Sequence, residues 1–507
     1  MARFETIFPP EFDGRLSALG LGLGGAVAVP FPPFYDAADF FLPDDYRVTL
    51  LDTGPDSPAY ATANYTAEQI FDRLSNARAN PELTFWIDPQ GGNDSTGDGL
   101  TEATPWRSIT KATTAAMTAG KSVKIKFRAP ASSDTGDPIK GYNFVGSSLN
   151  ALYDLTVDCC LEFYNGAAVM SVHNQFSAPS LHTGATWTYA VTTGSTTDTV
   201  LDLTDVDEYA IPRAMQFVPY IESGDIPAGC WSSNGTVTLI RRRDNAPVVN
   251  TLCRILDAAP NVRTTNNVSL GFFPATPSDT LRIYGGGNVN GAFDMVVGSG
   301  KTDVTPRAVV ARNVTCINHS FNSPGAGRCW SINGLHGIAY LENCGALNAR
   351  SDLYNFHNSR GATVAGVRTR VITINCVGIR AGMDVRPAGG SNIISNNGHT
   401  LHEDVRAMDF GGEYRFASGG CVRTIGTSQS LYAGTLVHDR GDRWLGSTTQ
   451  PTGFRSQDSA EIYCFRTKIP VAGAGVSISY HNGGGAILLR DCWSDKGRTI
   501  GEIGDWG

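Results

Sequence analysis

The sequence predicts an all-β chain wound as a solenoid, with an apolar N-terminal segment and a small β-insertion. Three observations carry this reading. Glycine supplies 57 of 507 residues while charged residues make up only 17%, a composition unlike the Ala, Glu, Lys and Leu surplus of helical bundles. The 23 Phe, 17 Tyr and 8 Trp provide ample apolar surface to bury, which excludes wholesale disorder. Finally, Cys316, Cys344, Cys376, Cys464 and Cys492 each accompany a short β-prone run, with spacings of 28, 32 and 28 residues for 316–344, 344–376 and 464–492. A recurrence of that length marks stacked coils. In such a stack these cysteines are expected to face the interior as small apolar residues and to form no disulfide ladder.

The chain divides into four stretches. Residues 1–80 carry Phe31-Pro32-Pro33-Phe34 and scattered prolines, an apolar docking segment that needs a partner surface. Within it Thr66 and Gln69 form a capping box for a helix reaching Asn80. Residues 81–180 begin the solenoid. There Thr104 and Pro105 are expected to start a capping helix with Trp106, Ile109, Thr113 and Ala116 on one face and Gly120 at its end, covering strand edges that would otherwise recruit another chain. Residues 181–265 read as a β-rich insertion with a tight hairpin at Asn234-Gly235. Residues 266–507 hold the main coils, punctuated by glycine pairs and triplets such as Gly411-Gly412.

Charge and hydropathy exclude several functions. The formal net charge of −8 provides no global positive field to gather a nucleic acid. The apolar stretch from Leu16 to Pro33 is interrupted by glycines and prolines, so membrane insertion is not expected. It also lacks the basic lead-in and cleavage site of a secretion signal, and the expectation is synthesis in a cytoplasm. No cofactor is implied. Gly20, Gly22 and Gly25 match a dinucleotide pattern but lead into Val27-Ala28-Val29-Pro30 and not a helix. His399 and His402 lack an evident third metal ligand. Asp88, Asp94 and Asp98 fit a turn network better than a calcium site.

The run from Trp86-Ile87-Asp88 through Gly91, Asp94, Gly97 and Gly99 to Pro105-Trp106-Arg107-Ser108-Ile109 resembles the opening of right-handed parallel β-helix proteins of the pectate-lyase type. Placed after an unrelated N-terminal segment, it is similar to bacteriophage tailspikes, and the resemblance spans roughly residues 83–490. It implies a right-handed parallel β-helix in a virion tail protein made in the host cytoplasm and assembled as a homotrimer. Residues 1–80 would dock on other tail proteins, and the solenoid would bind a host surface glycan, with depolymerisation of that glycan as a further activity the resemblance leaves open. A full set of pectate-lyase calcium and arginine residues is missing from the sequence, which favours a glycoside hydrolase over a lyase. The alternatives are a non-enzymatic structural or adhesive tail component and a free polysaccharide lyase or hydrolase.

Polar residues concentrate between Asp352 and Asp439, where stacking would bring distant acids together. Glycoside hydrolysis needs two carboxylates, one as acid and one as base or nucleophile. The candidates are Glu403 or Asp404 with Asp384 or Asp409, assisted by His357 or His402. For substrate binding they are Asp352, Arg380, Arg386, Arg406, Tyr354 and Tyr414, the arginines as partners for sugar carboxylates and the aromatic rings as stacking platforms. Arg368 and Arg370 belong to the same basic set.

Overall fold

The computed structural model describes residues 26–494 apart from 52–57, 130–141, 144–151, 172, 176–178, 193–198, 207–211, 249–252, 257–261, 286–291, 319–326, 350, 382–396, 418–419, 439–451, 470–476 and 483. The chain is a parallel β-helix. Among the described residues three parallel sheets of eleven, ten and nine strands run along it, and successive main coils supply one strand to each. One such coil is Arg307–Arg312 in the eleven-stranded sheet, Val314–Asn318 in the ten-stranded sheet and Trp330–Asn333 in the nine-stranded sheet, after which Gly337–Glu342 starts the next.

The recurrence seen in the sequence comes from the corner between the first two sheets. There the chain turns through one residue at positive φ: Asn313, Asn343, Asn375, Gly411, Gly434, Arg466 and Asp491 on seven coils. Asparagine and glycine tolerate this left-handed conformation best. On four of these coils the side chain of the next residue bonds to a backbone carbonyl of the coil beneath. Cys344 Sγ donates to Ala311 O, Cys376 Sγ to Leu341 O and Cys492 Sγ to Cys464 O, each at 3.4 Å, and Thr467 Oγ1 donates to Tyr432 O at 2.9 Å. The Asn-Cys pairs are therefore a turn device that ties one coil to the last. None of the cysteines described forms a disulfide, but they do not share one column. Cys316 is in register with Ala346, and Cys464 with Tyr432 in the neighbouring sheet.

The described part of the N-terminal segment has its partner surface on this same chain. An antiparallel sheet of Ala26–Ala28, Val48–Leu51 and Tyr60–Ala63 and the helix α1 (Ala67–Asp72) form a strap. Phe34, Phe40, Leu42, Tyr46, Leu50, Ile70 and Phe71 pack on Ile338, Tyr340, Ile372, Met408, Phe410, Leu431 and Tyr463, on the outer side of the eleven-stranded sheet. Asn375 fastens it, accepting from Ala61 N at 2.8 Å and donating to Ala61 O at 3.0 Å. At Gly434 a Cβ would lie 2.6 Å from that of Ala59, so glycine leaves the room the strap needs. The Thr66–Gln69 capping box is present, but α1 stops at Asp72. Beyond it Ser75 turns its hydroxyl to Asp158 and the Ala77 amide, anchoring the chain to the coils.

The capping helix α2 spans Ile109–Ala119, with Ser108 as N-cap and Gly120 as a left-handed C-cap. It starts later than the Thr104-Pro105 signal suggests because Trp106 is held extended: its amide bonds to Trp86 O and its carbonyl accepts from Asp88 N, both at 2.9 Å. Its buried residues Ile109, Ala112 and Ala116 join the interior core of the first coils. The carboxylates of Asp88, Asp94 and Asp98 are engaged by amides of Gln90, Gly91, Arg107, Ser108 and Leu100, so this loop is an Asx-turn network. Between His173 and Leu256 the strands form two further sheets, mostly antiparallel. Their shared core contains Val191, Val200, Met215, Trp231 and Ile240.

Candidate functional site

The nine-stranded sheet carries the candidate site on its outer side. Its strands alternate in a repeated four-residue phrase: Trp330-Ser331-Ile332-Asn333, Tyr354-Asn355-Phe356-His357 and His399-Thr400-Leu401-His402 are in register. Trp330, Ile332, Tyr354, Phe356 and Leu401 belong to the interior core. Because successive side chains alternate across a strand, the polar residues between them point outward in two rows. One runs Asp294, Ser331, Asn355, Thr400, Arg423 and Arg455; the other runs Asn333, His357 and His402.

Hydrogen bonds fix parts of these rows. Asn355 Nδ2 donates to Asp352 Oδ2, Ser359 Oγ to Asn333 Oδ1 and Arg423 Nε to Gln457 Oε1, all at 2.6 Å. Among the described residues Ser331 Oγ, Asn355 Oδ1, Thr400 Oγ1 and His357 Nε2 are buried and meet no hydrogen-bond partner. Native structures seldom leave such atoms unpaired without a reason.

His357 and His402 stack face to face with ring centroids 4.0 Å apart and planes 14° apart. Burial, then the neighbouring His402 and the charges of Arg328 and Arg423, push the His357 pKa down to about 2. Burial lowers that of His402 to about 4, with Asp352 opposing and Arg423 and Arg328 adding to the shift. Both rings are consequently neutral at physiological pH and offer one donor and one acceptor nitrogen each.

The structure separates the other expected site residues. Asp352 lies with the two histidines. Glu403 and Asp404 follow His402 on an exposed turn. Glu403 has φ 63, and although the residue is exposed, partial burial of its carboxyl raises its pKa. Asp409 is not on the groove. It is buried inside the solenoid, accepting from Thr373 Oγ1 and Thr435 Oγ1 at 2.6 Å and from Tyr414 OH at 2.8 Å, and burial pushes its pKa up to about 6 against those bonds. Tyr414 and Tyr354 are also interior, and Tyr354 donates to Cys344 O at 2.9 Å, so neither ring offers a stacking platform. Arg406 stands under the strap, 3.5 Å from Asp39. Arg380 is in the ten-stranded sheet, 3.4 Å from Asn348 Oδ1. Asp384 and Arg386 lie outside the described residues. His399 and His402 point to opposite sides of their strand, which rules them out as joint ligands of one metal.

No protein family and no curated protein matches the chain in sequence. Among solved structures it resembles "The complex structure of XylC with xylose" at 11% identity and a TM-score of 0.35, over 80% of this chain and 70% of that one. That likeness is too distant to bear on chemistry.

Sequence reasoning reached the two histidines and Asp352 but missed Ser331, Asn355, Thr400, Arg423 and Arg455. The signal was the repeated phrase itself, in which a polar residue sits between two bulky ones at the same place on consecutive coils. As an arrangement, the face offers neutral donors and acceptors at a coil spacing of ~4.8 Å, flanked by guanidinium groups.

Proposed function

We propose that the chain is a receptor-binding protein of a phage tail that holds a host surface polysaccharide along the outer side of its nine-stranded sheet. The observation that supports this is the row of outward polar atoms left unpaired among the described residues on consecutive coils. A polymer that presents hydroxyl groups at regular intervals satisfies donors and acceptors coil after coil, and neutral histidines suit hydroxyl groups. Homotrimer formation, docking on other tail proteins through residues 1–80 and residence in the virion belong to this reading. Because residues 26–51 and 58–80 already cover their own chain, docking by that part uses its outward side.

Hydrolysis is a second reading, favoured by Glu403. Its positive φ is a backbone state that side chains other than glycine adopt mainly where the surroundings impose it, and its raised pKa suits a general acid.

Incubating the full-length protein with host envelope polysaccharide and sizing the products separates the readings. Retention without shortening marks a binder, and shorter oligosaccharides that vanish with Glu403→Gln mark a hydrolase. Ultraviolet-absorbing unsaturated ends mark a lyase. The double variant His357→Ala/His402→Ala and the variant Arg423→Gln are expected to weaken retention by about tenfold or more, a change of ~1.4 kcal/mol. Undiminished retention by folded variants would remove the site assignment.

A further inference from the structure

A second polar cluster lies on the eleven-stranded sheet, beneath the strap and apart from the glycan face. Arg370 and Arg406 occupy the same position on successive coils, where like charges repel. Asp39, in the strap, reaches Arg370 Nε at 2.6 Å and Arg406 Nη1 at 3.5 Å, and contacts Arg368 Nη1 as well. Asp404 also acts on Arg370, and Asp39 is the one carboxylate that pairs with all three guanidinium groups among the described residues. Arg370 Nη1 is used by the carbonyls of Thr369 and Asp404. By contrast, Arg368 Nε and Arg406 Nε are buried and find no acceptor among the described residues. The side chains of Arg368 and Arg406 are 40% and 32% exposed, so the cluster is open at its rim.

The strap's turn is held tautly here. Phe41 has φ 60, an outlier for a bulky side chain, and its ring lies 5.0 Å from the Arg368 guanidinium. Phe40 and Leu42 of the same turn are buried against the sheet, and the Asp39 carboxylate adds a polar latch to that packing on a strained backbone.

We propose that Arg368, Arg370 and Arg406 form an oxyanion-binding site that the chain's own Asp39 fills, so that an external carboxylate, sulfate or phosphate competes with the strap for it. Planar guanidinium groups recognise all three anions through paired hydrogen bonds. The site is independent of the nine-stranded face and goes beyond the glycan reading.

Isothermal titration of the full-length protein with sodium sulfate and with sodium glucuronate, at matched ionic strength in sodium chloride, tests the site. Asp39→Asn is expected to bind at least one of the two anions about tenfold more tightly than the parent, ~1.4 kcal/mol. Adding Arg406→Gln is expected to abolish that gain. A preference for glucuronate points to a sugar acid as the source, and a preference for sulfate to an inorganic anion. Equal affinity of Asp39→Asn and parent, or a gain that survives Arg406→Gln, would overturn the proposal. Limited proteolysis of the parent does not depend on any variant folding: the favoured anion is expected to speed cleavage between Asp36 and Leu42 relative to chloride, and an unchanged rate would refute the latch.

Discussion

Replacing Asp409 by Asn tests whether the interior of the solenoid holds a carboxylate against its charge. Burial lifts the Asp409 pKa from 3.8 to about 6, so the folded chain binds a proton more tightly than the unfolded one. The sign follows from proton linkage: a raised folded-state pKa contributes stability below the unfolded value, and that contribution is lost as pH rises through the folded value. With those two pKa values, the contribution falls by about 2 kcal/mol between about pH 4.5 and about pH 7.5. The histidines act in the opposite direction. Burial lowers His399 to about 3, and a depressed pKa makes stability fall as pH drops below the ordinary histidine range. The parent's own curve therefore mixes both effects, and the informative quantity is the difference between parent and Asp409→Asn. Asparagine carries no titrating charge and keeps one acceptor for the hydroxyls of Thr373, Thr435 and Tyr414. Denaturant unfolding at the two pH values is expected to show the variant gaining about 2 kcal/mol on the parent as pH rises. A difference that is flat with pH, or that moves the other way, would refute the buried ionisable carboxylate.

Other expectations follow from single contacts. Gly434→Val places a Cβ against Ala59 and Leu50 at a φ of 67, so it should unseat the strap; hydrogen exchange is expected to accelerate in residues 48–51 and 58–63 while the interior strands stay protected. Cys376→Thr puts a hydroxyl in the column that already holds Thr435 and Thr467 and should lie within about 1 kcal/mol of the parent, whereas Cys376→Val, lacking the donor to Leu341 O, should cost about 1 kcal/mol more in chemical unfolding. With His357 lowered to about 2 and His402 to about 4, glycan retention should not change from about pH 8 to about pH 5, and a transition near the ordinary histidine pKa of ~6.5 would contradict the neutral stacked pair.

The solenoid was legible because its turns have a covalent signature. Asn343-Cys344 and Asn375-Cys376 repeat at one corner, where a left-handed residue is required and an inward thiol binds the coil beneath. The direction of the side chains was harder to read. In Met408-Asp409-Phe410 a reader expects the two apolar residues inside and the acid outside, yet Met408 and Phe410 lie under the strap and Asp409 is interior. Where the strap covers it, the eleven-stranded sheet is buried on both faces, so hydrophobicity loses its alternation there and no longer tells inside from outside. At the corner entering the nine-stranded sheet, Cys329 with Trp330 and Leu353 with Tyr354 are consecutive residues that both join the core. Such a pair shifts the inward-outward parity and leaves Tyr354 in the interior. Alternation holds at His357 and His402, which stack on neighbouring coils of the nine-stranded sheet.

The strap also changes what its removal should do. If residues 1–80 were only a docking arm, deleting them would leave the coils intact. The structure instead places Ile338, Tyr340, Ile372, Met408, Phe410, Leu431 and Tyr463 beneath strap side chains. Exposing a large apolar side chain costs about 1.5–3 kcal/mol, so uncovering these seven forfeits on the order of 10 kcal/mol, comparable to the whole stability of a typical domain. The uncovered patch is also continuous over consecutive coils, the form that drives association. Deletion of residues 1–80 is therefore expected to give a protein that aggregates or unfolds at lower denaturant, as read by sedimentation velocity and chemical unfolding beside the full chain. A truncated protein that sediments as one discrete species with undiminished stability would show that the strap rests on the sheet without supporting it.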